Sequence, residues 1–366
     1  MPKVLIRVDS SWLIGTGHLS RMLALGSTFQ EAGYDVEIAT RELSGYLDTA
    51  ALGLTTHILS KPSPSIHSTS AGEGYESWLG VPLELEISEM KEIVSQSQPH
   101  IIVVDHYALD QTWELSMKEF CHVLVAVDDL ANRPHNSDVL IDHNHFGEKA
   151  LDRYRKLVAA DTLMLLGTSF SLLDPAYGLP AKKTDMAIGE INCKVLVFFG
   201  GSYEGPLFFQ TLEALSASKY SELFEVTIVS RSFTTPRNFD ASALHSLTVL
   251  GPQRSLHSLL ASTDFVIGSG GVNTWERLAM NKFALVISIA QNQESLTEEL
   301  DELGYLNYLG RASSIDTPHF TLAIDDLYES KYDLSRKLRD KPQMVDGRGT
   351  FRVLAELEKF IKTGSR

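Results

Sequence analysis

The chain has 366 residues, 43% of them hydrophobic, which is long for a single core and makes two domains the starting expectation. Its 22% charged residues, 25 Gly and 13 Pro exclude collagen-like, low-complexity and disordered classes. Lys and Arg number 32 against 47 Asp and Glu, and the net charge of -15 opposes nucleic acid and anionic lipid, so an anionic ligand has to be gripped locally by backbone amides, helix starts or a few cations.

Strand-like apolar runs alternate with helix-length amphipathic segments almost throughout, the pattern of parallel sheets covered by helices on both faces. Lys3 to Val8 reads as a buried strand, His18 to Gly33 as a helix and Asp35 to Thr40 as a strand. The stretch from residue 60 to 80 is rich in Ser, Pro and Gly and reads as an irregular loop, a lid or a decoration. Ile101 to Val104 and Val123 to Val127 predict two more strands, ending in Asp105-His106-Tyr107 and Asp128-Asp129. Open α/β sheets place ligands at such strand ends. A second series follows: strand Lys194 to Phe199, helix Leu207 to Ser218, strand Phe224 to Ser230, a run at Val249-Leu250, helix Leu256 to Ser262 and strand Phe265 to Ile267. Helix Asn273 to Met280, strand Ala284 to Ala290 and a largely helical tail complete it. Two doubly wound halves joined near 175–192 are the simplest account, with domains at 1–180 and 190–345, a terminal helix at about 348–366 free to pack back on the first, and a cleft between the halves as the default active site.

Cys121 and Cys193 lack CxxC or Cys/His ligand spacing, which argues against a disulfide framework or structural zinc and fits a cytoplasmic protein. No apolar run of about 18 residues is present, and the N-terminus lacks a signal-peptide core, so membrane insertion is not expected.

Several loops carry chemistry. Ile14-Gly15-Thr16-Gly17-His18 lies between a strand and a helix, where glycines admit a ligand to the backbone. Ser20 stands where a dinucleotide fingerprint needs Gly, which weakens an oxidoreductase reading. A helix start favours neutral imidazole, so His18 is a candidate base as well as a candidate structural His. Asp9 and Ser10 either cap this loop or bind substrate hydroxyls. Asp128-Asp129 lacks a further ligand at metal spacing, and Asn132-Arg133-Pro134-His135 suggests a turn tied by Asp–Arg pairing. The Gly268 to Glu276 segment is a glycine-rich turn into a helix, whose amides at Gly270 and Gly271 could cradle a diphosphate without positive charge, while Glu276 could accept from ribose hydroxyls. Gln291-Asn292-Gln293 adds neutral amides suited to sugar hydroxyls and uracil edges, and Gly200-Gly201-Ser202 is a third such loop.

Taken in order, these residues resemble the UDP-sugar hydrolases of pseudaminic acid biosynthesis, which release UDP from UDP-2,4-diacetamido-2,4,6-trideoxy-β-L-altropyranose, and relatives in spore coat polysaccharide synthesis. The likeness runs through Arg7-Val8-Asp9-Ser10-Ser11, Gly15-Thr16-Gly17-His18 with Arg21, Val104-Asp105-His106-Tyr107, and Val127 to His135. It continues through Leu166-Gly167, Leu172 to Tyr177, Phe199-Gly200-Gly201-Ser202, Gly268 to Glu276, Asn292-Gln293 and Val345-Asp346-Gly347-Arg348-Gly349. Ala108 stands where Gly is expected after Asp-His-Tyr, and Val272-Asn273 where small polar residues are commoner.

The resemblance implies an α/β, GT-B-like fold of two Rossmann-like domains facing a cleft, and a nucleotide-sugar hydrolase. It implies His18 as general base with Tyr107 and Asn292 in the active site. Substrate and UDP would be held by Asp9, Ser10, Gly15, Gly17, Arg21, Gly201, Ser202, Gly270, Gly271, Asn273, Thr274, Glu276 and Gln293. No cofactor or metal is expected. The partners are a UDP-linked diacetamido sugar and neighbouring pathway enzymes, with no nucleic acid. The competing readings are a GT-B glycosyltransferase using a UDP-sugar and a non-catalytic nucleotide-sugar binder, since fold does not fix function.

Overall fold

The computed structural model describes residues 1–62, 75–179, 192–237 and 239–364. Most of the Ser/Pro-rich stretch and of the expected junction, residues 63–74 and 180–191, lies outside the described residues. Two compact units emerge: Met1–Pro175 together with the chain from Gly347 onward, and Ala176–Asp346.

The first unit is built on β1 (Lys3–Val8), β2 (Asp35–Arg41), β3 (Thr55–Leu59), β4 (Ile101–Asp105), β5 (Val123–Val127), β6 (Val139–Asp142) and β7 (Leu163–Leu166). Its helices are α1 (Gly17–Glu31), α2 (Leu83–Ser97), α3 (Gln111–Met117) and α4 (Ala150–Tyr154). All seven strands pair in parallel, in the order β3-β2-β1-β4-β5-β6-β7. Successive side chains of a strand point to opposite faces, so an all-apolar run serves two cores at once. Val4, Ile6, Val8, Ile101 and Val103 pack with Leu19, Met22, Leu25 and Phe29 of α1, whereas Leu5, Ile102 and Val104 pack with Met90 and Val94 of α2 and Trp113 and Met117 of α3.

The second unit contains β8 (Cys193–Phe198), β9 (Phe224–Val229), β10 (Ser246–Leu250), β11 (Phe265–Gly268), β12 (Ala284–Ser288) and β13 (Asn307–Arg311), with α5 (Leu207–Ala217), α6 (His257–Ser262), α7 (Asn273–Ala279), α8 (Glu294–Glu302) and α9 (Thr317–Asp340). Its parallel order is β10-β9-β8-β11-β12-β13. Asp316 caps α9 by accepting from the His319 amide at 2.9 Å, and Lys337 and Arg339 complement the dipole at its other end.

The last helix, α10 (Gly349–Thr363), belongs to the first unit, where Val353 and Leu357 enter the α1 face of the core. Its first residue has no room for a side chain, because a Cβ at Gly349 would collide with the Ser171 backbone. In each sheet the chain reverses its winding at one point, between β1 and β4 in the first and between β8 and β11 in the second. Strand carboxyl ends flanking such a reversal form a crevice for ligands.

Leu357 is fully buried. Leu357→Ala should therefore lower unfolding stability by about 2–5 kcal/mol in denaturant titration.

Candidate active site

In the first unit the crevice is lined by the β1–α1 loop and by residues just beyond β4 and β5. The loop closes on itself: the Gly15 amide donates to the Ser11 carbonyl at 2.8 Å, the Ile14 amide donates to Ser11 Oγ at 3.0 Å, and Gly15 takes φ +82, a left-handed conformation that favours glycine. This turn delivers Gly17 as the first residue of α1 and His18 as its second.

His18 Nδ1 lies 2.7 Å from Asp105 Oδ1. Burial by itself would raise the Asp105 pKa, but Arg21 and His18 outweigh it and hold the carboxyl well below the ordinary range. An ionised Asp105 can only accept, so the contact calls for a proton on Nδ1. Arg21, one turn along α1, donates from Nε to Asp105 Oδ2 and from Nη2 to Oδ1, both at 2.6 Å, and from Nη1 to Asp129 Oδ2 at 2.8 Å. His143 Nε2 is 3.3 Å from Arg21 Nη1, and burial and that cation push the His143 pKa down to about 3, so its ring is neutral.

Tyr107 packs edge-on against His18, with ring centroids 4.5 Å apart. Burial, and then the neighbouring Asp129 carboxylate, raise its pKa well above the ordinary value, which keeps the phenol protonated and able to donate. Trp78 stacks on Tyr107 at 5.1 Å, and Tyr75 meets the edges of both rings.

Two expected substrate ligands have other occupations. Asp9 is fully buried: Oδ1 accepts from Arg7 Nη1 at 2.6 Å and from the Arg41 amide at 2.7 Å, and Oδ2 accepts from Arg7 Nη2 at 2.9 Å. Arg7 also donates to Glu86, which in turn accepts from Arg41 Nη2 at 2.6 Å. Asp9 is therefore part of a buried ion network. Arg21 is 2% exposed, and its guanidinium pairs with Asp105 and Asp129. The Ser10 hydroxyl is buried and accepts from the Leu47 amide at 3.0 Å. Asp128 and Arg133 do form an ion pair, at 2.5 Å, and Asp128 also accepts from the Ala131 amide at 2.9 Å.

In the second unit the glycine turn follows β11. Ser269 Oγ donates to the Phe199 carbonyl at 3.1 Å and so ties this turn to the Gly200-Gly201-Ser202 loop after β8, where all three residues are half-buried. Gly270 lies hard against α8: a Cβ there would run into Thr297 Oγ1 and come within 3.3 Å of Gln293 Cβ. Gln293 is thus brought to the turn, as expected, with its Oε1 accepting from the Ile289 amide at 3.1 Å. Arg277 braces the turn from beneath, donating to the Ser269 carbonyl at 3.1 Å and to Thr274 Oγ1 at 2.9 Å. Burial pushes its pKa down to about 10 against the pull of Glu276, and it remains a cation at neutral pH. Asn273 is 8% exposed, and its buried Oδ1 has no hydrogen-bond partner among the described residues. Such an acceptor fits a ligand hydroxyl or N–H. Glu276 is half-buried and Asn292 exposed.

Local pattern does not point to Asp105 as the partner of His18, nor to His143, Tyr75 and Trp78 as its neighbours. Asp105 stood inside a motif that was singled out, but nothing local distinguishes it from His106, whose Nδ1 is occupied by the Ala108 amide at 3.1 Å.

The two parallel, Rossmann-like sheets with glycine-rich turns at their reversal points define an α/β protein of GT-B type. Solved structures with this fold include MurG of Acinetobacter baumannii, with a TM-score of 0.62 and 12% identity, covering 98% of this chain and 100% of that one. MnaA of S. aureus in its UDP co-structure gives 0.62 at 10% identity over 99% and 97% of the two chains, and the UDP-GlcNAc 2-epimerase of Neisseria meningitidis bound to UDP-GlcNAc gives 0.59 at 12% over 98% and 100%. In sequence, the chain is similar to the UDP-2,4-diacetamido-2,4,6-trideoxy-beta-L-altropyranose hydrolase of Campylobacter jejuni, 24% identical over 310 residues that span 83% of this chain and 97% of that protein. No protein-family model matches the chain. Among the described residues no helix is long and apolar enough to cross a membrane.

His135 supports this region from behind, with Nδ1 2.6 Å from Glu114 Oε1. Burial would lower its pKa, but Asp128 and Glu114 raise it from 6.5 to about 9. A raised histidine contributes stability in full below its unfolded value and loses it as pH climbs through the folded one. Thermal stability should accordingly fall between pH 6.5 and about 9, and His135→Asn should flatten that slope when melting is followed across the same range.

Proposed function

We propose that the protein is a nucleotide-sugar hydrolase that releases UDP and a free 2,4-diacetamido-2,4,6-trideoxy hexose, serving the biosynthesis of pseudaminic acid or a related surface-glycan sugar. The observation that carries the reading is the His18–Asp105 pair: an ionised, buried carboxylate 2.7 Å from Nδ1 orients the ring, and the proposed base is Nε2 of its neutral form. The similarity to the Campylobacter hydrolase along nearly its whole length supports the choice of reaction and sugar.

In the proposed step, His18 Nε2 takes a proton from water as the water oxygen bonds to the anomeric carbon. The bond from that carbon to the diphosphate oxygen breaks, and UDP leaves with its electron pair. Amides at Gly270 and Gly271 are fixed before the reaction by the brace from Arg277 and the fit against α8, so they can receive the growing charge with little rearrangement. Glu276 is the proposed ribose ligand, and Asn273 offers its unpaired acceptor to the nucleoside. Tyr107, neutral and buried, can donate to the substrate beside His18, and Asn292 brings a neutral amide to the sugar.

Positioned base catalysis is worth about 10²–10⁴-fold. His18→Asn should lose turnover by about that factor while retaining UDP affinity in calorimetry, and a wild-type rate would remove His18 from the step. Glu276→Ala should weaken UDP binding, and unchanged affinity would place the ribose elsewhere. The decisive experiment incubates the protein with UDP-linked 2,4-diacetamido-trideoxy hexoses in water and follows UDP and free sugar by NMR. Release that needs an added acceptor would make it a glycosyltransferase, and tight UDP binding with no turnover a non-catalytic binder.

A further inference from the structure

The short turn Tyr75–Trp78, near the end of the Ser/Pro-rich stretch, has no part in the step above, yet it brings two aromatic rings to the base. Trp78 lies nearly parallel to Tyr107, 25° between planes, and its ring centroid is 5.8 Å from that of His18 at 85°. Tyr75 stands edge-on to both Trp78 and Tyr107, at 4.9 and 4.8 Å, and the Arg133 guanidinium sits 5.9 Å from the Tyr107 ring. Tyr107 is thereby enclosed and only 8% exposed, whereas Trp78, 5.8 Å from the imidazole, remains half-buried.

We propose that Trp78, backed by Tyr75, is a specificity-determining wall of the His18 site, favouring sugars that turn methyl groups, not hydroxyls, toward the base; the proposal rests on the hydrolase reading above. An indole face offers dispersion and CH–π contact to a methyl group and no acceptor for a hydroxyl. A hydroxyl pressed against it gives up water without gaining a partner. Because Tyr75 and Tyr107 hold the ring from two sides, the indole cannot swing away to readmit solvent without breaking both contacts.

The test compares kcat/KM for a UDP-2,4-diacetamido-2,4,6-trideoxy hexose with that for its counterpart carrying a hydroxyl at C6. Wild type should prefer the deoxy sugar by about 10–200-fold, the range one group in an apolar site achieves. Trp78→Phe should keep most of this preference and Trp78→Ala should bring the ratio near one, with UDP affinity unchanged in both. If Trp78→Ala does not fold, Trp78→Gln, which makes the wall polar while keeping bulk, reads the same ratio. A ratio that stays at the wild-type value in the Ala or Gln variant, or equal loss on both substrates, overturns the proposal. If wild type hydrolyses neither compound, the hydrolase reading fails, and the wall is judged by NMR titration of the two free hexoses: a deoxy preference lost in Trp78→Ala supports it, and no difference between wild type and variant overturns it.

Discussion

Everything in the first unit's crevice is arranged around one buried carboxylate. Asp105 sits at the end of β4 with no exposure to solvent, and an ion in that position has to be matched by charge and hydrogen bonds or it destabilises the fold. Its partners both come from the first turns of α1, His18 and Arg21, and Arg21 continues to Asp129 beyond β5. One helix and two strand ends are thus locked by a set of charge-assisted contacts. Removing one member of such a buried set typically costs about 3–5 kcal/mol, because the remaining charge is stranded. The direction in which His18 presents Nε2 follows from this network more than from the packing of a loop.

The same logic changes the meaning of the acidic composition. Part of the carboxylate surplus is internal: Asp9, Glu86, Asp105 and Asp128 are all buried and each is matched by an arginine: Arg7, Arg41, Arg21 and Arg133. These four arginines are engaged in holding carboxylates. In the second unit the buried Arg277 likewise grips the carbonyl of the glycine turn. A diphosphate in such a protein has to rely on backbone amides, and the close fit of Gly270 against Thr297 and Gln293 shows why that turn tolerates no side chain there.

Local pattern revealed the strands and helices that carry strong apolar runs. β1, β5 and α7 start where the periodicity places them, and the helix expected from Leu207 is α5. Elements with weak patterns escaped. β3 reads Thr-Thr-His-Ile-Leu at the sheet edge, β6 and β7 have four residues each, and α2 buries the charged Glu86 on its inner face, where an apolar residue would have signalled a helix. Among site residues, His18, Tyr107 and the glycine turn were visible because strand-to-helix glycine loops are local. Asp9 and Arg21 are legible too, but their buried ion pairs are not, since those partners lie far away in sequence.

By itself, the sequence determined the alternation of strands and helices, the two glycine turns at strand ends and the histidine at a helix start, because each depends on residues within a few positions of one another. Only the tertiary structure decided that Asp105 meets His18, that Arg21 and Asp9 sit in buried ion pairs, and that Trp78 borders His18. Those pairings join residues as far as 108 positions apart, and the order in which parallel strands assemble closes that distance.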